Sequence, residues 1–327
     1  MRNLFVVLSP FQLICAQEAR AKFCSNQKNE LVILHREPIG SPSYTQIVAV
    51  LDENWGRVRH VWEPKKKGPA LAWARLKITA ALRVSYVYKA NAVFLGEPRI
   101  GWFQKLGTWF GKNTVWLDDG AATLLLLRKL EPNLSPNPDS DLPRLFSAFV
   151  TDEMQKQSGH VLLHNEFKQL QSEIVPKPAD EKQLLIIGQW ISEAGDLSQS
   201  QELALIDQVM RSHVNWSICY VPHRHDSSEK VEKIANLGPK VTPLGMPIEL
   251  AIRLSGSVPT KVISFYSTAL FTLKSMFNSI DAVAIRPDFP NLSDSRASDI
   301  DLVYREMPRY GIKVLAPAEL KKNEVEP

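Results

Sequence analysis

Asp118-Asp119-Gly120 follows directly on the apolar run Thr114–Leu117. Two carboxylates crowded at a strand exit push one pKa toward neutrality, and a glycine lets backbone and substrate come close, which makes a general-base site. The same three residues also suit a turn and the N-cap of a helix beginning near Ala121. A second group, Tyr220-Val221-Pro222-His223-Arg224-His225, closes another apolar run. A histidine there can donate a hydrogen bond to a phosphate, or a proton to a departing phosphate oxygen, because its pKa lies near neutral pH. An extended chain aims His223 and His225 to one side and a turn after Pro222 separates them, so His223 is the candidate, weighed against a structural role for one of seven histidines. Arg224 and His225 add charge beside it.

Ser267 and Thr268 stand where the apolar run ending at Phe265 gives way to a helical pattern. Two hydroxyls and free backbone N–H groups at a helix start bind phosphate, although plain N-capping uses the same residues. Met246-Pro247-Ile248-Glu249 opens another helix, where Glu249 either accepts from ribose hydroxyls or complements the helix dipole as a first-turn acid.

Stepwise alternation of elements is what these groups require for their positioning. Apolar runs at Leu4–Leu8, Leu31–Leu34, Ala92–Leu95, Thr114–Leu117, Leu184–Ile187, Trp216–Val221, Val262–Phe265, Ala282–Ile285 and Lys313–Leu315 read as strands. Amphipathic stretches at Phe11–Lys22, Leu71–Val84, Gln199–Ser212 and Pro247–Leu254 read as helices between them. This is an α/β pattern with parallel sheets. The length, 327 residues, is about twice that of a typical domain and 44 % of the residues are apolar, so two domains sharing one cleft are expected. The Pro-, Asn- and Asp-rich run Pro132–Pro143 reads as a surface loop, and Val175–Lys182 as the hinge. The expected domains are residues 1–178 and 179–327.

Composition removes several classes. The opening run Leu4–Leu8 is broken by Ser9 and Pro10, too short for a secretion signal, and no other apolar run approaches the roughly twenty residues a bilayer demands. Three cysteines, Cys15, Cys24 and Cys219, form no C-x-x-C and no zinc spacing, which suits reduced thiols and a cytoplasmic chain without a metal or cofactor. The net charge of +4 is uneven: Arg57–Arg83 carries Arg57, Arg59, Lys65, Lys66, Lys67, Arg75, Lys77 and Arg83 against one acid, Glu63. Such a block attracts phosphate or anionic lipid, and with Trp62, Trp73, Trp102 and Trp109 nearby it is a candidate peripheral contact with the inner membrane, or else a solvated helix face. No nucleic-acid-binding module accompanies the charge.

The order of these groups, one carboxylate pair in the first half and a His, Glu, Ser-Thr series in the second, resembles the bacterial sialyltransferases of the GT-B type. These include the lipooligosaccharide sialyltransferase and polysialyltransferase families, with shared motifs D/E-D/E-G, H-P and S-S/T. The match falls on Asp118, Asp119 and Gly120, on His223, on Glu249, and on Ser267 with Thr268. Leu-Ser-Pro-Phe-Gln, with Ser9 and Gln12, is similar to the opening T-P-x-Q, and Gly188-Gln189 to the G-Q after the family's hinge. Arg224 stands where the family has proline, which shifts the histidine's backbone or adds a contact to the donor phosphate.

The resemblance implies a GT-B fold, two Rossmann-like domains facing a central cleft, the first binding the acceptor and the second a CMP-linked donor. It implies inverting, metal-independent transfer of sialic acid from CMP-sialic acid to a glycan or glycolipid. Asp118 would then take the acceptor proton, with Asp119 shaping its pKa or holding the loop, or the two roles would be exchanged. His223 would hydrogen-bond the leaving CMP phosphate, Ser267 and Thr268 would cradle it and Glu249 would hold the ribose. Other CMP-linked donors (pseudaminic acid, legionaminic acid, Kdo) fit the same motifs, as does a non-catalytic nucleotide- or glycan-binding protein. A metal-dependent transferase with Asp118 and Asp119 as ligands is a third alternative.

Overall fold

In a computed structural model of the chain, the strands and helices expected from the apolar periodicity assemble into two parallel sheets. The structure describes residues 2–64, 68–86, 90–98, 101–130, 143–159, 161–172, 177–178, 182–290 and 292–320. The chain divides into one unit of Met1–Ser172 with Gly245–Pro247, and a second of Glu173–Leu244 with Ile248–Pro327. Most of the expected hinge, and residues 132–142 of the expected loop, lie outside the described residues.

Unit 1 contains β1 (Arg2–Val7), α1 (Pro10–Cys24), β2 (Lys28–His35), α2 (Pro42–Val50), β3 (Arg57–Trp62), α3 (Pro69–Tyr86) and β4 (Ala90–Leu95). It continues with α4 (Gly101–Phe110), β5 (Thr114–Leu117), α5 (Ala122–Leu130), β6 (Arg144–Ser147), α6 (Asp152–Gln157), β7 (Leu162–His164) and α7 (Lys168–Ser172). The sheet order is β3-β2-β1-β4-β5-β6-β7. Strands buried on both faces read as unbroken apolar runs, and Leu4, Val6, Val32, Leu34, Val93 and Leu95 form the core with Phe103 and Leu106 of α4. The basic block resolves into the edge strand β3, whose Arg-Val-Arg-His-Val-Trp pattern is half exposed, and the helix α3. That mixed charge is why β3 carries no apolar-run signal; β7, Leu-Leu-His, ends on a polar residue after two apolar ones and is not among the expected strands.

Unit 2 contains β8 (Lys177–Pro178), β9 (Gln183–Ile187), α8 (Gln199–Arg211), β10 (Ser217–Val221), α9 (Ser228–Ala235), β11 (Lys240–Val241) and α10 (Ile248–Ser255). After these come β12 (Ser257–Val258), β13 (Lys261–Ser264), α11 (Thr268–Met276), β14 (Asp281–Ile285), α12 (Asp294–Glu306) and β15 (Lys313–Leu315). Six strands run β11-β10-β9-β13-β14-β15, and β12 pairs with β8 separately. Leu184, Ile186, Tyr220, Ile263, Val283 and Ile285 meet Ile206 and Val209 of α8 in its core.

Both sheets are doubly wound. In unit 1 the strand order reverses between β1 and β4, and in unit 2 between β9 and β13. Ligands of such sheets bind outside the carboxyl ends of the strands at that reversal, where neighbouring loops diverge.

Candidate functional site

At the reversal in unit 1, Ser9 caps α1 by accepting from the Gln12 backbone N–H at 3.1 Å. The cap turns the Gln12 side chain inward, where it is 1 % exposed. Its Oε1 accepts from Leu8 N–H at 2.8 Å, and its Nε2 donates to Asp119 Oδ1 at 2.7 Å. A side chain at position 96, just past β4, would put its Cβ 2.4 Å from Gln12 Oε1, so only glycine leaves room for this glutamine.

The two carboxylates after β5 have different surroundings. Asp118 is fully enclosed. Its Oδ1 accepts from Thr123 Oγ1 at 2.7 Å and Gly120 N–H at 3.1 Å, and its Oδ2 from Ser147 Oγ at 2.9 Å and Ala148 N–H at 3.0 Å. Burial pushes its carboxyl up to about 6 against the pull of these donors. Gly120 adopts φ of +71°, which lets its N–H fold back onto Asp118. Asp118 thus ties the exits of β5 and β6 together. Asp119 is half-buried, held on Oδ1 by Gln12, and its N–H donates to Thr123 Oγ1 at 2.9 Å. Of the pair, only Asp119 meets solvent.

In unit 2, Gly188 follows β9 so closely against β10 that a Cβ there would lie 2.4 Å from the Tyr220 hydroxyl and 2.9 Å from the His223 nitrogen. The Oε1 of Gln189 is buried with no hydrogen-bond donor among the described residues. His223 is half-buried at the exit of β10. Its backbone N–H donates to Asp226 Oδ2 at 2.9 Å, and its Nδ1 accepts from His225 N–H at 3.3 Å. Burial, with Arg224 and His225 nearby, lowers its pKa to about 4, so the ring is neutral at pH 7. An accepting Nδ1 puts the remaining proton on Nε2. His223 is therefore a neutral hydrogen-bond donor here, which corrects the expectation of a pKa near neutrality. His225 stays close, with ring centroids 5.4 Å apart despite the turn, and Arg224 is exposed.

Ser267 is the N-cap of α11, accepting from Ala269 N–H at 3.3 Å, and Thr268 is the first helical residue. Glu249, in the first turn of α10, is buried and accepts from Thr272 Oγ1 of α11 at 2.6 Å. Burial raises its pKa. The structure brings Ser9, Gln12, Asp118, Asp119 and Gly120 together in unit 1, and sets Gly188, Gln189, His223, Ser267 and Thr268 on three neighbouring strand exits of unit 2. Among the described residues, no three His, Cys, Asp or Glu side chains are grouped to hold a metal ion.

Sequence reasoning missed the network beneath His223. Lys230 of α9 is fully buried, with Nζ 2.7 Å from Glu202, 3.1 Å from Asp226 and 3.2 Å from Glu193, and it donates to the Gln189 carbonyl at 3.0 Å. Burial pulls its pKa down, but Glu202 and Asp226 outweigh that and hold it above the ordinary lysine value. Asp226 also accepts from the Tyr220 hydroxyl and from the His223 backbone, so one buried ammonium fixes the loops after β9 and β10. A lysine among the acids of an amphipathic helix reads as surface, which is why no pattern marks it.

Two doubly wound parallel α/β units make up the GT-B fold, and the fold of this chain matches that of solved GT-B glycosyltransferases. Among solved structures, the chain is similar to an α/β-galactoside α-2,3-sialyltransferase from Photobacterium phosphoreum, at TM-score 0.53 and 11 % identity, over 96 % of this chain and 98 % of that one. A sialyltransferase GT-B domain from Photobacterium damselae matches at TM-score 0.50 and 13 % identity, over 96 % and 99 %. Acinetobacter baumannii MurG matches at TM-score 0.50 and 13 % identity, over 98 % and 89 %. No protein-family model matches the chain, and no curated protein matches it in sequence.

Proposed function

We propose that the chain is an inverting, metal-independent sialyltransferase that moves sialic acid from CMP-sialic acid to a hydroxyl of a cell-surface glycan, lipooligosaccharide or capsule. The observation that carries this reading is the half-buried Asp119 held by Gln12, a general base set at the carboxyl end of the unit 1 sheet. The anion-binding donors after β9, β10 and β13 support it from unit 2.

In this mechanism Asp119 takes the proton of the acceptor hydroxyl as its oxygen bonds to the anomeric carbon. Asp118, the residue first expected to take this proton, is enclosed and already holds four donors, so the role passes to Asp119. The bond from the anomeric carbon to the phosphate oxygen breaks with its electron pair on CMP. His223 Nε2–H, the Ser267 and Thr268 hydroxyls and the α11 N-terminus then meet the developing charge, which fixed donors stabilise without a divalent ion. Glu249 holds the ribose, and Gly188-Gln189 lines the donor site. A donor bearing another CMP-linked nonulosonic acid or Kdo uses the same groups.

The basic block serves as the contact with an anionic lipid surface, where a lipid-linked acceptor is presented. Trp73 and Leu76 of α3 and Trp109 of α4 are exposed, with Lys77 and Lys105 on the same two helices, which matches an interface of aromatic and cationic groups. Lys65, Lys66 and Lys67 lie outside the described residues.

The test is release of CMP from CMP-sialic acid by purified protein, with chelator, with and without galactosides. Asp119→Asn is expected to lower turnover by about 10²–10⁴-fold while CMP affinity stays near the parent's. Asp118→Asn turns amide hydrogens toward existing donors and is expected to lower unfolding stability by about 1–3 kcal/mol, read by urea denaturation. No release by the parent would sink the transferase reading, and CMP binding without release would favour a binding protein.

A further inference from the structure

Two loops of unit 2 meet a guanidinium from the start of α12 that the reading above does not use. Asp196, from the loop after β9, is 3 % exposed. Its Oδ2 accepts from the Tyr266 hydroxyl and from Arg296 Nη2 at 2.9 Å, and its Oδ1 from Arg296 Nε at 3.3 Å. Tyr266 immediately precedes Ser267 after β13, and Arg296 lies in the first turn of α12, which follows β14. The guanidinium carbon also stands 5.7 Å from the centre of the Tyr266 ring. One edge of Arg296 is thus fixed by a buried carboxylate and one face rests on an aromatic ring, while 46 % of the side chain remains exposed.

Such an arrangement differs from an ordinary surface ion pair. A mobile arginine loses side-chain entropy when it binds, whereas this one is already held in place, and its fork is suited to a second carboxylate. Among the described residues its polar contacts run through Nε and Nη2 only. Burial and Asp196 hold the Tyr266 hydroxyl above its ordinary pKa, so it stays protonated and donates to Asp196. The pair sits at the carboxyl ends of β9, β13 and β14, at the strand-order reversal and one residue from Ser267.

We propose that Arg296, positioned by Asp196 and Tyr266, binds the carboxylate of the donor's acidic sugar and thereby selects α-keto-acid sugars over neutral ones. The proposal rests on the CMP-donor reading and adds the residue that reads the sugar. Arg296 binds the one group that every CMP-linked nonulosonic acid or Kdo donor carries beside its anomeric carbon and free CMP lacks.

The experiment compares binding of CMP, CMP-3-fluoro-sialic acid and its C1 carboxamide to the parent, Arg296→Gln and Arg296→Lys by calorimetry. In the parent, the carboxamide is expected to bind about tenfold to a hundredfold more weakly than the acid. In Arg296→Gln the acid should fall by the same factor, the carboxamide should hardly change and CMP should bind as in the parent. Arg296→Lys should recover part of the loss. Equal loss of CMP and the acid in Arg296→Gln would make Arg296 a phosphate ligand and overturn the proposal. So would equal binding of acid and carboxamide by the parent, a measurement that needs no variant to fold. A parent that binds no CMP at all would overturn the donor reading itself, and the subsite with it.

Discussion

Asp118 and Asp119 are adjacent in sequence and chemically identical, yet burial separates them. One carboxylate anchors two strand exits, and its neighbour faces solvent beside Gln12. His223 shows the same dependence on surroundings. Its folded pKa of about 4 lies below the ordinary 6.5, so the unfolded chain binds a proton at this site that the folded chain does not between those values. The stability this neutral ring contributes is therefore present above pH 6.5 and is lost as pH falls through about 4. In a histidine-resolved NMR titration of the ligand-free protein, one of the seven ring signals should titrate near 4, vanish in His223→Asn and move upward when CMP binds. A His223 midpoint near 6.5 would remove the neutral-donor assignment.

At the scale of elements, two glycines determine how closely strands and side chains approach. Gly96 makes room for the Gln12 carboxamide, and Gly188 lets the end of β9 pass against Tyr220 and the His223 backbone. Neither is needed for a left-handed turn; both are needed because a methyl group would overlap its neighbours. Gly188→Ala should destabilise unit 2 by about 1–3 kcal/mol through overpacking and weaken CMP binding by displacing His223, seen in urea unfolding and CMP titration together. Unchanged CMP affinity would mean that His223 does not touch the nucleotide. Lys230 acts at the same scale: one ammonium and three carboxylates hold the loops after β9 and β10, and removing the ammonium leaves the carboxylates without a counter-charge.

For the whole molecule, the uneven charge has a measurable consequence. Among the described residues no helix is long and apolar enough to cross a membrane. The basic, Trp-bearing face of α3 and α4 should instead hold the protein on vesicles containing anionic lipid. Cosedimentation is expected at low salt and should decline as salt rises, because exposed charges are screened over about 8–10 Å near physiological ionic strength. Trp73→Ala with Lys77→Ala should weaken it, and salt-insensitive partitioning, or none, would remove this role.

Much of the architecture was legible in the sequence because parallel strands buried on both faces must be apolar runs, and the nine runs read as strands all fall on strands. β3, β6 and β7 were not, since β3 alternates charge along a sheet edge, and β6 and β7 hold only two consecutive apolar residues each beside Arg144, Ser147 or His164. Candidate residues could be proposed from type and order, because carboxylates, a histidine and hydroxyls after strands are chemically marked. Their individual states could not. Which aspartate meets solvent, that His223 is neutral, that Lys230 is buried, and that Asp196, Tyr266 and Arg296 meet from positions up to 100 residues apart depend on packing distances between loops. Local sequence determines which groups each strand delivers to the carboxyl edge of its sheet; only the tertiary structure determines which of them are desolvated, paired or left facing water.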